Sequence, residues 1–233
     1  MTDQELHRLL EDMSLQEKID QLLQLTADFY GKTDRDVVTG PASELGISME
    51  DIDLAGSVLN GTGAKALMQI QDAYMDRHPH HIPLLFMMDV IHGYRTIFPA
   101  PIAQGASFDP EMSKRAASVA AREASAAGIH VVFSPMVDLV RDPRWGRVME
   151  STGEDPYLNS RFAAAQIHGF QGDDMKEDGK VCGCIKHFAG YGGAEAGREY
   201  NTVQISEHTF REYYLPSYEA GIKAGAGMVM TSF

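Results

Sequence analysis

Short apolar runs with no polar alternation, each followed by a stretch of helical periodicity, constrain this chain more than any other feature. Pro83-Leu84-Leu85-Phe86-Met87-Met88, Val131-Val132-Phe133 and Val181-Cys182-Gly183-Cys184-Ile185 lack the period-2 pattern, as strands covered on both faces do. Gly56-Ser57-Val58-Leu59 and the run from Gly227 to Phe233 are further strand candidates. Between them lie helices. Ser14-Leu15-Gln16-Glu17 is a capping box, and Leu15, Ile19, Leu22 and Leu23 recur at helical spacing, predicting a helix to about Leu25. Leu67, Ile70 and Tyr74 mark a second helix. Asp109-Pro110 opens an alanine-rich third that stops at Gly128. Tyr157 to Phe170, closed by Gly172, a helix from about Glu207 and a short one opened by Pro216 complete the series. Thr33 to Glu44, with Gly40-Pro41, reads as a loop. Strand and helix thus alternate about five times, which predicts parallel βαβ units and an α/β fold. No linker rich in Pro, Ser or Gly divides the chain, so residues 1–233 read as part of one domain.

Two parallel architectures compete. An open doubly wound sheet often carries a glycine fingerprint after its first strand. Gly190-Tyr191-Gly192-Gly193 fails that spacing, because Glu195 takes the third glycine's place, and no Walker-type lysine motif is present. A barrel collects polar residues at several strand ends, where its active site lies. Asp89, the segment Asp138 to Arg147, and Lys186-His187 each follow an apolar run. A TIM-like (β/α) barrel, incomplete at 233 residues, fits better.

The formal charge of −13 excludes a basic nucleic-acid face and an anionic-membrane partner. No apolar stretch approaches a membrane span. Met1-Thr2-Asp3-Gln4-Glu5 is polar and acidic, unlike a secretory leader. The chain as given reads as cytoplasmic, or as periplasmic or secreted after removal of a leader. Cys182 and Cys184, two apart on a strand, face one side and read as small core residues. His78-Pro79-His80-His81 reads as solvated surface rather than a metal site, and neither metal nor cofactor is expected.

Taken singly, the strand-end groups have bland readings. Asp89 could cap a turn, Lys186-His187 could end in a salt bridge, and Arg141-Asp142-Pro143-Arg144-Trp145-Gly146-Arg147 could be a solvated face. Together they bring a carboxylate, a guanidinium, an ammonium and an imidazole to one rim. Such a set can hydrogen-bond several vicinal hydroxyls of a sugar. Strand neighbours point to opposite faces, so Lys186 and His187 reach one ligand only if the backbone bends. A distorted or cis peptide is expected near Lys186 to Phe188, and a cis bond at Ser134-Pro135 is a further expectation.

Met88-Asp89-Val90-Ile91-His92-Gly93, Ser134-Pro135 through Arg147, Glu150-Ser151 with Gly153-Glu154-Asp155-Pro156, and Lys186-His187-Phe188 resemble, in order, the successive motifs of family-3 glycoside hydrolases. The likeness is to the β-glucosidase and β-xylosidase branch. Ala189 and Tyr191 stand where the N-acetylglucosaminidase branch has proline and histidine. The resemblance implies the N-terminal portion of a retaining β-glycosidase of β-glucosidase type, acting on terminal β-D-glucosides or oligosaccharides. It implies that Asp89, Arg147, Lys186 and His187 hold the sugar hydroxyls and that Glu199 orients the lysine. Phe233 falls where relatives place a tyrosine beside the sugar, without the phenol hydroxyl. Glu150, Glu154 and Asp155 are implied to shape the loop into the next helix. The nucleophile and the acid/base are implied beyond Phe233, so these residues alone are expected to be inactive. A non-catalytic sugar-binding half-barrel scaffold is the alternative, and a metal-using barrel enzyme built on Asp89 and His187 is a third. The apolar run ending at Phe233 is expected to leave an unpaired edge, met by self-association or a complementing C-terminal segment.

Overall fold

A computed structural model describes residues 1–31 and 45–233; the Thr33–Glu44 loop expectation lies outside the described residues. The described residues form two compact units, Met1–Met88 with Ala127–His130, and Asp89–Ala126 with Val131–Phe233.

In the first unit, α1 (Asp3–Asp12) and α2 (Leu15–Asp20) each start from a complete capping box, Thr2 with Glu5 and Ser14 with Glu17. The chain then leaves the helix earlier than its leucine spacing predicts, because β1 (Gln24–Thr26) takes over. Leu25 is buried with Ile52 and Ala55, while Leu22 stays exposed. Burial of one leucine in a strand thus overrides a local helical period. After α3 (Met49–Leu54), β2 (Ser57–Leu59) pairs in parallel with β1. α4 (Ala64–Arg77) buries Leu67, Ile70 and Tyr74, the three residues whose spacing predicted it. β3 (Leu85–Met88) pairs in parallel with β2. His78 is not surface: it is 1% exposed, and its Nδ1 accepts from the backbone N–H groups of His80 and Ile82. A loop of three histidines was read as solvated, but the first of them closes the C-terminal end of α4.

The second unit holds α5 (Pro101–Gly105), α6 (Pro110–Ala126), β4 (Val131–Val132), α7 (Pro156–Gln171) and β5 (Cys182–Phe188). α8 (Glu207–Thr209) leads through a π-helical segment, Phe210–Tyr214, into α9 (Leu215–Lys223), the short helix expected to open at Pro216, which sits in its first turn. β6 (Met228–Thr231) closes the series. β4, β5 and β6 are parallel in that order. α6 packs on α7, and α7 on α9. Val137, Ala163, Ile167, Ile185 and Tyr218 form the core beneath β5. α7 is capped by Asp155, whose carboxylate accepts from Leu158 N at 2.6 Å. Among the described residues, no helix is long and apolar enough to cross a membrane. Cys184 is buried and Cys182 half-buried, both unpaired, and burial raises both thiols, Cys184 to about 11.

Candidate functional site

Every sequence-predicted site residue lies in the second unit. β5 supplies the centre. Its register with β6 slips between Ile185 and Phe188, so three steps on β5 match two on β6. The Lys186-His187 and Phe188-Ala189 peptides are cis, as is Ser134-Pro135. The distortion expected from two neighbouring side chains sharing one ligand is therefore present at the expected place.

Lys186 and His187 are 3% and 2% exposed. The Lys186 ammonium meets Asp89 Oδ1 at 2.6 Å. Asp89 follows β3 directly, and its side chain is 52% exposed, so the second carboxylate oxygen is open to a ligand. His187 Nδ1 sits 2.7 Å from Asp138 Oδ2, and its Nε2 sits 3.3 Å from Arg147 Nη1. Arg147 forks onto Glu150 through Nε and Nη2, at 2.7 and 2.8 Å, the bidentate geometry that fixes a guanidinium plane. That pairing raises the Arg147 pKa. Burial alone would push the Glu150 carboxyl up, but the Arg147 fork, with the nearby charges of Arg147 and Lys186, holds it below the usual carboxylate range. Glu150 is thus part of the charge cluster as well as of the loop.

The loop bearing Arg147 is anchored by Trp145, buried with Met136, Val140 and Tyr191. Of its other two arginines, Arg144 is exposed and forks onto Asp142, lowering that carboxyl to about 2. Tyr191 follows β5 and lies edge-on to both Trp145 and His187. A Cβ at Gly192 would collide with the Leu139 carbonyl, so glycine there lets the 191–193 turn lie flat against that strand end. Glu199 departs from its implied role. Lys186 is already paired with Asp89, and Glu199 Oε1 instead accepts from the Tyr191 hydroxyl. Phe233 is 75% exposed, with its ring 5.8 Å from that of His187, 5.1 Å from Tyr191 and 5.0 Å from Tyr200.

Sequence reasoning gave no role to Asp138, Tyr191 or Tyr218. Asp138 was placed among the strand-end polar residues, but without a partner. Tyr218 gave no signal, being one more apolar-face position of a helix. Its hydroxyl lies 2.7 Å from Asp138 Oδ1 and 2.5 Å from the His187 carbonyl oxygen. Burial and the Asp138 charge raise its pKa well above the usual value, so the phenol keeps its proton.

Adjacent residues of β5 thus carry a Lys186–Asp89 pair with a half-open carboxylate and a His187–Arg147 contact, with aromatic rings alongside. A periplasmic β-glucosidase of Salmonella typhimurium is 37% identical over 226 residues, spanning 96% of this chain and 28% of that protein. A putative β-xylosidase of Formosa agariphila is 32% identical, with 92% and 30% covered. The solved β-glucosidase of Listeria innocua in complex with isofagomine superposes with a TM-score of 0.94 at 49% identity, covering 100% of this chain and 32% of that one. An exo-1,3/1,4-β-glucanase of Pseudoalteromonas superposes with a TM-score of 0.83 at 30% identity, covering 98% and 30%. The chain spans about a third or less of the length of these relatives, and its fold is the α/β, TIM-like barrel expected, in incomplete form. Residues 14–233 match the profile described as the Glycosyl hydrolase family 3 N terminal domain, and the chain belongs to that family.

Proposed function

We propose that residues 1–233 are the N-terminal part of one (β/α) barrel domain of a retaining β-glycosidase of β-glucosidase type, and that they hold the terminal β-D-glucosyl unit of the substrate. The observation that carries this reading is the Lys186–Asp89 pair at 2.6 Å beside the His187–Arg147 contact at 3.3 Å. Lys186 and Arg147 donate to sugar oxygens, and the open oxygen of Asp89 accepts from a hydroxyl. A sugar is mostly hydroxyl, and charged partners make its strongest hydrogen bonds. Phe233 offers a ring for the C–H face of the pyranose.

Retaining cleavage needs two carboxyl groups about 5–5.5 Å apart, one a nucleophile and one an acid/base. In this cluster Asp89 is bound to Lys186, Asp138 to His187, Glu150 to Arg147 and Glu199 to Tyr191. Each of these carboxylates is paired with a donor that it orients, and on this reading the chain alone binds the sugar and does not cleave it. Purified chain should bind glucose or isofagomine in a calorimeter and release no nitrophenol from an aryl β-glucoside. Clear turnover, abolished by mutating one of these four carboxylates, would overturn the proposal. A corollary concerns β6, bonded to β5 along one edge and half-exposed at Val229. A second copy or a C-terminal segment covers that edge, and sedimentation of the chain as a clean monomer counts against this.

A further inference from the structure

Asp138 is the most enclosed charged side chain near the site, and its contact with His187 has a consequence for how that ring meets a sugar. Asp138 is 1% exposed. Three donors converge on it. Oδ2 lies 3.0 Å from the His187 backbone N–H and 2.7 Å from His187 Nδ1, and Oδ1 lies 2.7 Å from the Tyr218 hydroxyl. A carboxylate facing donors accepts, so His187 Nδ1 carries a hydrogen. On the far side of the ring, Arg147 Nη1 lies 3.3 Å from Nε2. A guanidinium only donates, so Nε2 presents its lone pair. Both contacts demand the same tautomer. An imidazolium or an Nε2–H ring would set an N–H against the guanidinium.

We infer that Asp138 is a positioning residue that, together with Arg147, holds His187 as the neutral Nδ1–H tautomer, so that the imidazole meets a sugar hydroxyl as a hydrogen-bond acceptor. The inference rests on the sugar-binding reading. It deepens that reading by dividing the labour among the strand-end groups. Lys186 and Arg147 can only donate, and Asp89 and His187 Nε2 only accept. A ligand group that enters between Arg147 Nη1 and His187 Nε2 must accept from the first and donate to the second. A hydroxyl does both. A fluorine or an ether oxygen accepts alone, so this position selects a free hydroxyl. Such selection is strong where a buried polar group would otherwise lose its partner.

Long-range proton–nitrogen correlation spectra of the chain labelled with 15N-histidine read the tautomer, with His187→Gln identifying the resonances. A pyrrole-type Nδ1 and a pyridine-type Nε2 are expected; the reverse, or two pyrrole-type nitrogens, overturns the inference. Asp138→Ala should mix the tautomers and weaken D-glucose binding about tenfold, the scale of one hydrogen bond. Asp138→Asn keeps an accepting oxygen and should restore the tautomer and most of the affinity. An alanine variant with tautomer and affinity unchanged overturns the inference. Should that variant not fold, unmodified chain and singly deoxyfluorinated glucoses decide. Two positions, those facing Asp89 and His187 Nε2, should each lose about tenfold while a position facing Lys186 alone is tolerated, and loss at one position only, or equal tolerance at every position, overturns the inference. Glucose binding to an Nε2–H ring defeats this inference alone. Absence of glucose binding beside an intact Nδ1–H ring defeats the sugar reading, and the acceptor role with it.

Discussion

Lys186 separates binding from stability. Its ammonium is enclosed, whereas its partner Asp89 is half in water. Enclosing an ammonium costs several kcal/mol that one carboxylate only partly offsets. Lys186→Met, which keeps the stem and removes the charge, should leave the thermal midpoint nearly unchanged and weaken glucose binding by at least about tenfold. Calorimetry and a thermal melt on the same sample check both halves. Glu150 behaves differently, because it holds Arg147 through two bonds. Glu150→Gln should cost about 1–2 kcal/mol in urea unfolding, the range for breaking a half-buried charged pair. Its carboxyl is depressed in the fold, so the stability it supplies is complete above its ordinary value of 4.5 and is lost as pH falls through the lower folded value. The variant should therefore show a flatter stability profile below pH 4.5.

At the scale of elements, the approach of α9 to β5 sets where the site's backbone lies. Gly221 of α9 faces Ile185, and a Cβ there would sit 2.9 Å from Ile185 Cγ2. Helix propensity alone favours alanine over glycine by about 1 kcal/mol. Gly221→Ala should instead destabilise by about 1–3 kcal/mol, because a buried β-branched side chain has no room to yield. Urea unfolding gives the sign directly, and a gain in stability would show that the helix can withdraw from the strand at little cost. The entry to α7 is a purely local device by comparison. Asp155→Ala should cost about 1 kcal/mol, the usual value of a lost N-cap.

For the chain as a whole, acid sensitivity should be set in the first unit. His78 and His130 are both held below the ordinary histidine value of 6.5, chiefly by burial. His78 Nδ1 accepts from His80 and Ile82, and His130 Nδ1 accepts from Phe86 at the head of β3, so protonating either ring removes an acceptor. The unfolded chain binds these protons first. The stabilisation is therefore complete above about pH 6.5 and declines as pH falls through and below it. Thermal midpoints measured from neutral to mildly acid pH should drop, and His130→Gln should flatten the slope. A midpoint indifferent to pH across that window would contradict this account.

Periodicity, caps and strand-end polarity are properties of short stretches of chain, and they were readable without coordinates. They determined the α/β class, the order of the elements, and the appearance of Asp89, Lys186 and His187 at strand ends, with Arg147 on the loop that follows another. They also called for a bend in the backbone at Lys186-His187, since alternation forbids two neighbours from sharing a face. Partnership was not readable, because it joins residues far apart in sequence. Asp89 and Lys186 are 97 residues apart, Asp138 and His187 are 49, and Tyr218 reaches Asp138 across 80. The fold brings these groups within hydrogen-bond reach: β5 carries Lys186 and His187, and α7 and α9 pack against it. In the second unit, packing pairs Glu199 with Tyr191 rather than with the lysine and draws Glu150 into the charge cluster. In the first unit, packing buries His78 and makes a strand of Gln24–Thr26, where the leucine spacing pointed to helix.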